Sequence, residues 1–326
     1  MGFLYSQLFK GLSYPTGSFA GKTVIVTGSN VGLGKEAARH YARLGASKII
    51  LAVRSLEKGQ AAKEDIESTT GIAKDAIQVW YVDMGSYASV EKFAARVGSD
   101  LDRVDIFHAN AGLARTKFNM VEKDEEMITV NVVCTIFLFA LVLPKLKESA
   151  VKYKTRPVFS ITSSVVHEHT TLPQKTAPEG QLLATISDKT FAEKHWDDQY
   201  PISKLLEVFF VREFADEHPA PPFPVTFNCI NPGLCHSELG REVPGWGFTI
   251  IKALLARSTE VGSRTLLHAG SAGVETHGQY LSDCEIGQPG PFVLSAEGKE
   301  AQGRIYKELL KKLEGINPGV TRSFSA

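Results

Sequence analysis

A phenol and an ammonium stand four residues apart in Tyr200-Pro201-Ile202-Ser203-Lys204. At a helix start this spacing puts both side chains on one face, and Pro201 suits the first turn, where no amide hydrogen bond is lost. A free phenol, with a pKa of about 10, exchanges protons poorly at neutral pH. A neighbouring ammonium favours the phenolate and pulls that pKa toward the working range. The pair reads as a proton donor with its tuning cation. Upstream, Ser160-Ile161-Thr162-Ser163-Ser164 closes an apolar run with hydroxyls where a carbonyl oxygen would need a donor.

A second group of residues has the chemistry of a dinucleotide site. Thr27-Gly28-Ser29-Asn30-Val31-Gly32-Leu33-Gly34 is a glycine-rich turn between an apolar strand and a helix. Its spacing, G-x-x-x-G-x-G, departs from the G-x-G-x-x-G fingerprint. The physics is the same, since residues without Cβ let the chain turn sharply and let a pyrophosphate approach the helix amides. About twenty residues on, NAD enzymes carry an acid for the ribose 2′-hydroxyl. Here Leu51-Ala52-Val53-Arg54-Ser55 carries none. Arg54, with Lys58 one helical turn later, offers positive charge to a 2′-phosphate, so the expected cofactor is NADP(H). Asp83 is placed to bond the adenine amine and Met84 to wall it, although an Asp at a strand end is also a common helix cap. Asn110-Ala111-Gly112 follows the fourth strand, where small residues let backbone approach a cofactor. Asn231-Pro232-Gly233-Leu234-Cys235-His236-Ser237 follows the sixth and would line the nicotinamide.

These residues need a scaffold, and the chain has one. Short apolar runs at 22–27, 48–53, 77–82, 104–109, 158–162 and 225–230 alternate with helical stretches near 33–44, 56–68, 90–97, 122–146 and 202–218. A last strand is expected near 279–281, before a charged helix over about 296–313. Continuous apolar strands between amphipathic helices predict a parallel sheet covered on both faces. Right-handed crossovers then make one doubly wound α/β Rossmann domain of about seven strands. It is expected over 20–315, after an N-terminal arm at 1–19 and before a tail at 316–326. Segments 165–199 and 235–249 read as insertions at the carboxyl ends of strands, the side where ligands bind.

Lysine plus arginine equals aspartate plus glutamate, 36 each, so no overall field favours nucleic acid. The four cysteines lack C-x-x-C spacing and read as free thiols in a reducing compartment. A cytoplasmic location follows, and no metal site is expected: His167-Glu168-His169 has no further ligands spaced for one. The apolar run from Val132 to Leu143 is too short to span a bilayer and reads as a buried helix. Met1-Gly2-Phe3-Leu4-Tyr5-Ser6 fits the loose pattern for N-myristoylation, weakened by the bulky residues after the glycine. The plainer expectation is an arm whose Phe3, Leu4, Leu8, Phe9 and Leu12 pack on the domain, with a membrane surface as the alternative. Homo-oligomerisation stays open. Trp196 and Phe191 either line a pocket for a bulky apolar substrate or anchor the first insertion.

Taken together, T-G-x-x-x-G-x-G at Thr27 to Gly34, N-A-G at Asn110, then Asn131, Ser164, Tyr200/Lys204 and P-G at Pro232 resemble the short-chain dehydrogenase/reductase family in type and order. The likeness covers about 20 to 315. Y-P-I-S-K-L-L and N-P-G-L-C-H-S-E-L are similar to reductases of fungal secondary metabolism, and A-V-R-S to retinol-dehydrogenase-type NADP enzymes. The resemblance implies hydride transfer between NADPH and a ketone or aldehyde, or the reverse oxidation of an alcohol, on a small-molecule metabolite. Tyr200 would be general acid, or base in reverse, and Ser164 would polarise the carbonyl. Lys204 would bind the nicotinamide ribose and depress the tyrosine pKa. Asn131 would hold a water joining Lys204 to solvent, and Leu234 and Ser237 would contact the carboxamide. Ser164 is preferred to Ser163 because the S-S-x-V-H pattern aligns the second hydroxyl with the catalytic one. Two features depart from the family: Ala109 replaces an asparagine common before Ala-Gly, and the stretch between Ser164 and Tyr200 is long. The alternative is a catalytically silent NADP-binding regulator on the same fold, disfavoured because every catalytic position is filled.

Overall fold

The computed structural model describes residues 3–236, 239 and 255–325. A short helix α1 (Phe3–Phe9) precedes β1 (Thr23–Thr27), α2 (Gly32–Arg43), β2 (Lys48–Val53), α3 (Leu56–Thr70), β3 (Ile77–Tyr81), α4 (Tyr87–Asp100) and β4 (Ile106–Ala109). A small hairpin, β5 (Met120–Val121) and β6 (Asp124–Glu125), leads into a π-helical turn (Ile128–Val133) and α5 (Cys134–Tyr153). Then come β7 (Val158–Thr162), α6 (Leu182–Ile186), α7 (Lys189–Lys194), α8 (Trp196–Glu217) and β8 (Thr226–Asn231). The chain ends with α9 (Thr259–Ser271), β9 (Tyr280–Ser282), β10 (Glu285–Ile286), α10 (Pro291–Leu294) and α11 (Ala296–Ile316).

One eight-stranded sheet has the order β10-β9-β8-β7-β4-β1-β2-β3. Every pairing in it is parallel except β10 on β9. Side chains alternate across the sheet, and both faces are buried, which is why the strands read as unbroken apolar runs. Ile25 of β1 points into one core with Phe107, Phe159 and Phe227, under α4, α5, α8 and α11. Its neighbours Val24 and Val26 point into the other, under α2 and α9. Phe139 of α5 stacks on Phe227 at 4.1 Å between centroids. The apolar helix expected from Val132 to Leu143 is thus a core helix. Strand order reverses between β1 and β4, which opens a crevice at their carboxyl ends.

Several expectations are corrected. An eighth strand, β10, adds an antiparallel edge to the seven parallel ones. It is joined by Asp283 and Cys284, both at positive φ (54° and 61°), a hairpin conformation usually signalled by Asn-Gly or Asp-Gly. The helix expected at 122–146 starts later, behind a hairpin, and its first turn is a π turn in a run where β-branched residues flank Asn131 (Ile128-Thr129-Val130-Asn131-Val132-Val133). The helix carrying Tyr200 begins at Trp196, with Asp197 and Asp198 in its first turn, so Pro201 lies in the second turn. In the arm, Leu12 is buried, whereas Leu4, Leu8 and Phe9 are exposed. Polar contacts dock α1 instead.

Candidate active site

The crevice between β1 and β4 is closed by an interlock of backbone. Thr27 Oγ1 accepts hydrogen bonds from the amides of Asn110 and Ala111, each at 2.9 Å. Asn110 Nδ2 donates to Thr27 O at 3.0 Å. Gly28 has φ +65°, and a Cβ there would lie 2.9 Å from Ala111 Cα. The turn after β1 and the Asn110-Ala111-Gly112 turn are therefore packed backbone to backbone, and only glycine fits at this crossing.

The N-terminus of α2 lies in this crevice. Its cap residue, Val31, makes no side-chain hydrogen bond, unlike Ser55, Ser86, Ser258 and Ser295, which cap α3, α4, α9 and α11. The first amides of α2 are thus left without a side-chain acceptor, the arrangement that receives a phosphate. Gly32 and Leu33 open this helix, with Asn30 half-buried beside them, and Gly34 is buried beneath. Ser29 differs from its expected place at the cofactor: it is fully buried and donates to Val26 O at 2.8 Å. At the end of β2, Arg54 and Lys58 are exposed and form no ion pair among the described residues. They flank the Ser55-capped start of α3. Asp83 accepts from Gly85 N at 2.9 Å, a turn contact that leaves its second oxygen open. Met84 is buried in the main core, so an adenine wall at this position would be its backbone and not its side chain.

The chemical residues gather at the carboxyl ends of β4 and β7. Lys204 Nζ donates to Thr162 O at 2.9 Å and to Glu207 Oε1 at 2.8 Å. It lies 5.8 Å from the centre of the Tyr200 ring. Ser163 is buried and donates to Lys204 O at 3.1 Å, a strut between β7 and α8. Ser164 is half-buried and accepts only a cap contact from Val166 N at 3.3 Å. Of the two hydroxyls, Ser164 is therefore the one with capacity to donate. Asn131, in the π turn, donates to Leu113 O at 2.9 Å and Ser203 Oγ at 3.0 Å, and accepts from Leu113 N at 2.9 Å. A Cβ on Gly112 would lie 3.2 Å from Asn131 Oδ1 and 3.7 Å from Lys204 Nζ. Gly112, Asn131 and Lys204 thus border one small space. π turns recur at functional sites because they re-aim a helix residue in this way.

The electrostatics depart from the simple phenol–ammonium picture. Burial raises the Tyr200 pKa, and the Glu207 carboxylate raises it further. Burial also pushes Glu207 up to about 7, against the lowering effects of Lys204 and Ser163. Tyr200 therefore holds its proton firmly. Three groups of one helix thus stand together: a phenol, an ammonium and a carboxyl.

After β8, Asn231 Oδ1 accepts from Val165 N and Gly233 N, both at 3.1 Å, and ties the two loops together. Pro232 is buried, while Gly233 and Leu234 are half-buried. Gln7 of α1 clasps this segment. Its Nε2 donates to Leu234 O at 3.0 Å and Leu255 O at 2.9 Å, and its Oε1 accepts from Leu234 N at 3.1 Å. Arg257 donates to Ser6 O and to Asp283, each at 2.7 Å. Ser237 lies outside the described residues, as does most of the second expected insertion. His236 is exposed.

The first insertion is folded onto the body. His167 Nδ1 meets Ser164 O at 2.7 Å, and its Nε2 accepts from Gly290 N at 2.8 Å, so both ring nitrogens are occupied. Phe191 stacks on His195 at 4.7 Å, and Trp196 meets Phe118 edge-on at 6.4 Å. Thr27, part of the glycine-rich motif, also serves through its hydroxyl, whereas Glu207, Gln7 and Arg257 belong to no motif in the sequence.

Comparisons with known proteins give the family and the fold. A family model described as short chain dehydrogenase matches residues 22–154. The short chain dehydrogenase/reductase dmxR8 of Cryptosporiopsis sp. is 66% identical over 99% of this chain and 100% of its own length. The short-chain dehydrogenase anuD of Penicillium roqueforti is 40% identical over 98% of this chain and 84% of its own. Among solved structures, a short chain dehydrogenase of Shigella flexneri complexed with NADP shares the fold. Its TM-score is 0.60 at 22% identity, over 81% of this chain and 98% of the other. The match to dmxR8 includes the arm, which the family model does not.

Proposed function

Because the chain belongs to the short-chain dehydrogenase/reductase family, we propose that it is an NADP(H)-dependent oxidoreductase that reduces a ketone or aldehyde on a small metabolite, or runs the reverse oxidation. The observation that carries this reading is Lys204, pinned to Thr162 O at 2.9 Å with Tyr200 one turn before it on α8.

The residues present fit a nicotinamide dinucleotide. The uncapped amides of α2 and the glycine crossing would hold the pyrophosphate, Asp83 the adenine, and Arg54 with Lys58 the 2′-phosphate. Pro232, Gly233 and Leu234 would border the nicotinamide end. When bound, NADPH supplies the hydride. Tyr200, whose proton is firmly held at neutral pH, gives that proton to the carbonyl oxygen as the carbon is reduced. Ser164 donates a hydrogen bond to the same oxygen, fixed in advance where negative charge develops. Lys204 keeps one donor for the ribose after its two inward bonds. Asn131 braces the Leu113 loop against α8 and so sets the floor of the site.

Trp196, one turn before Tyr200 on α8, meets Phe118 from the loop before β5, and this apolar pair would suit a bulky, apolar carbonyl compound as substrate. The test is consumption of NADPH by the purified chain with a panel of aromatic and aliphatic ketones. Turnover that requires Tyr200 supports the proposal. Cofactor binding without turnover of any carbonyl would leave a binding protein on an enzyme's fold.

A further inference from the structure

Glu207 is a buried acid that the reaction just described does not use. It is 2% exposed, and its Oε1 takes the Lys204 ammonium at 2.8 Å. Its Oε2 is buried with no hydrogen-bond partner among the described residues. A buried ion pair rarely adds net stability over an apolar pair of the same shape, so packing alone gives little reason for a carboxyl here.

Its position gives a better one. Lys204 has three donors, and Glu207 and Thr162 O take two of them from the inner side. The ammonium is thereby held with one donor uncommitted, and the carboxylate offsets part of its charge. The titratable and charged groups around Glu207 are Lys204 and Tyr200 on its own helix and Cys229 on β8; Arg212, also on α8, acts on Cys229. From the loop after β7 the neighbour is Ser163, which carries no charge. Cys229 is fully buried and its thiol is raised by that burial, so it stays neutral.

We propose that Glu207 is a positioning residue for the proton-transfer pair: through Lys204 it sets the pH at which Tyr200 releases its proton, and it orients the ammonium toward the cofactor ribose. This rests on the oxidoreductase reading for its purpose, though not for its test. Removing the carboxylate leaves the ammonium unopposed, so phenolate becomes easier to form and the Tyr200 midpoint falls.

The experiment reads Tyr200 directly, without turnover. Phenolate absorbance is titrated with saturating NADP⁺ in the full chain, and the matching Tyr200→Phe protein is subtracted. Glu207→Gln is expected to lower the Tyr200 midpoint by roughly one pH unit or more, while Glu207→Asp, which keeps the charge, restores most of it. Glu207→Met, uncharged and of similar volume, predicts the same fall and serves if the Gln variant does not fold. A midpoint unchanged in the folded uncharged variant overturns the proposal and makes Glu207 a packing residue. If the midpoint falls but no carbonyl is reduced, the proposed activity fails and this inference stands. If carbonyls are reduced and the midpoint does not move, the inference alone fails. The pH profile of reduction should shift with the titration, its alkaline limb moving to lower pH in Glu207→Gln.

Discussion

The Asn110 side chain fills the space above Gly34: a Cβ on Gly34 would lie 2.6 Å from Asn110 Nδ2 and 2.7 Å from Gly28 O. The Asn110 carboxamide, which donates to Thr27 O at 3.0 Å, and the backbone carbonyl of Gly28 cannot both retreat, so a single methyl must part the two turns. Gly34→Ala is expected to cost about 1–3 kcal/mol. Cofactor affinity should fall about tenfold or more because the pyrophosphate cradle opens. Fluorescence titration with NADPH, beside thermal denaturation, checks both; wild-type affinity would show that the turns can separate freely.

Tyr200→Phe removes one hydroxyl and leaves the ring. Loss of a general acid typically lowers kcat by about 10²–10⁴-fold. NADPH affinity should change little, since Lys204 and the glycine turn stay in place. Substantial residual turnover in steady-state assays would transfer the acid's role to another group.

Arg54→Asp puts a carboxylate where an exposed guanidinium stands at the start of α3. Loss of a charged contact to the 2′-phosphate is worth about 1.5–3 kcal/mol, so NADPH affinity should drop on the order of tenfold to a hundredfold. NADH should gain in comparison. The measurement is the ratio of kcat/KM for the two cofactors, and an unchanged ratio means that Arg54 does not read the phosphate.

Glu125 and Glu207 are both pushed up to about 7 by burial, whereas a glutamate in the unfolded chain titrates near ~4.3. Between these values the folded chain binds protons that the unfolded chain has released. Their contribution to stability is fully present at low pH and is lost as pH rises toward and through about 7. Urea unfolding at several pH values should show that slope as a wild-type minus Glu125→Gln difference. A flat difference would indicate that Glu125 titrates normally.

Gln7→Ala removes three hydrogen bonds that clasp Leu234 and Leu255. Each is worth about 0.5–1.5 kcal/mol net. The loop after β8 loses its brace, and KM for the carbonyl substrate should rise roughly tenfold with kcat less affected. Steady-state kinetics separate the two, and equal kinetics would reduce the clasp to an anchor for α1.

What could be read from the chain was local. Apolar runs of five or six residues and the four-residue spacing of Tyr200 and Lys204 need no knowledge of distant partners. In the sequence Glu207 is inconspicuous, because an acid three residues after a lysine is the pattern of an ordinary surface ion pair; only the burial of α8 makes it unusual. Gln7 meets Leu234 across a separation of 227 residues, and nothing near position 7 announces that contact. Ser29 and Met84 sit at cofactor-facing positions of the chain, yet their side chains turn inward, which backbone order alone does not reveal. β10 carries no turn signal in the sequence, since its turn, Asp283-Cys284, lacks a glycine.

The first insertion rests on the last long helix. Glu308 caps Leu182 and Leu183 at 3.1 and 2.9 Å, and Arg304 grips the carbonyls of Lys175 and Ala177 at 2.6 and 2.5 Å. These contacts are made to backbone, so they constrain the path of the insertion while leaving its side chains free to vary. Swapping this insertion between relatives to change substrate range is then a two-part graft: the incoming loop must either keep this path or arrive with its own terminal helix.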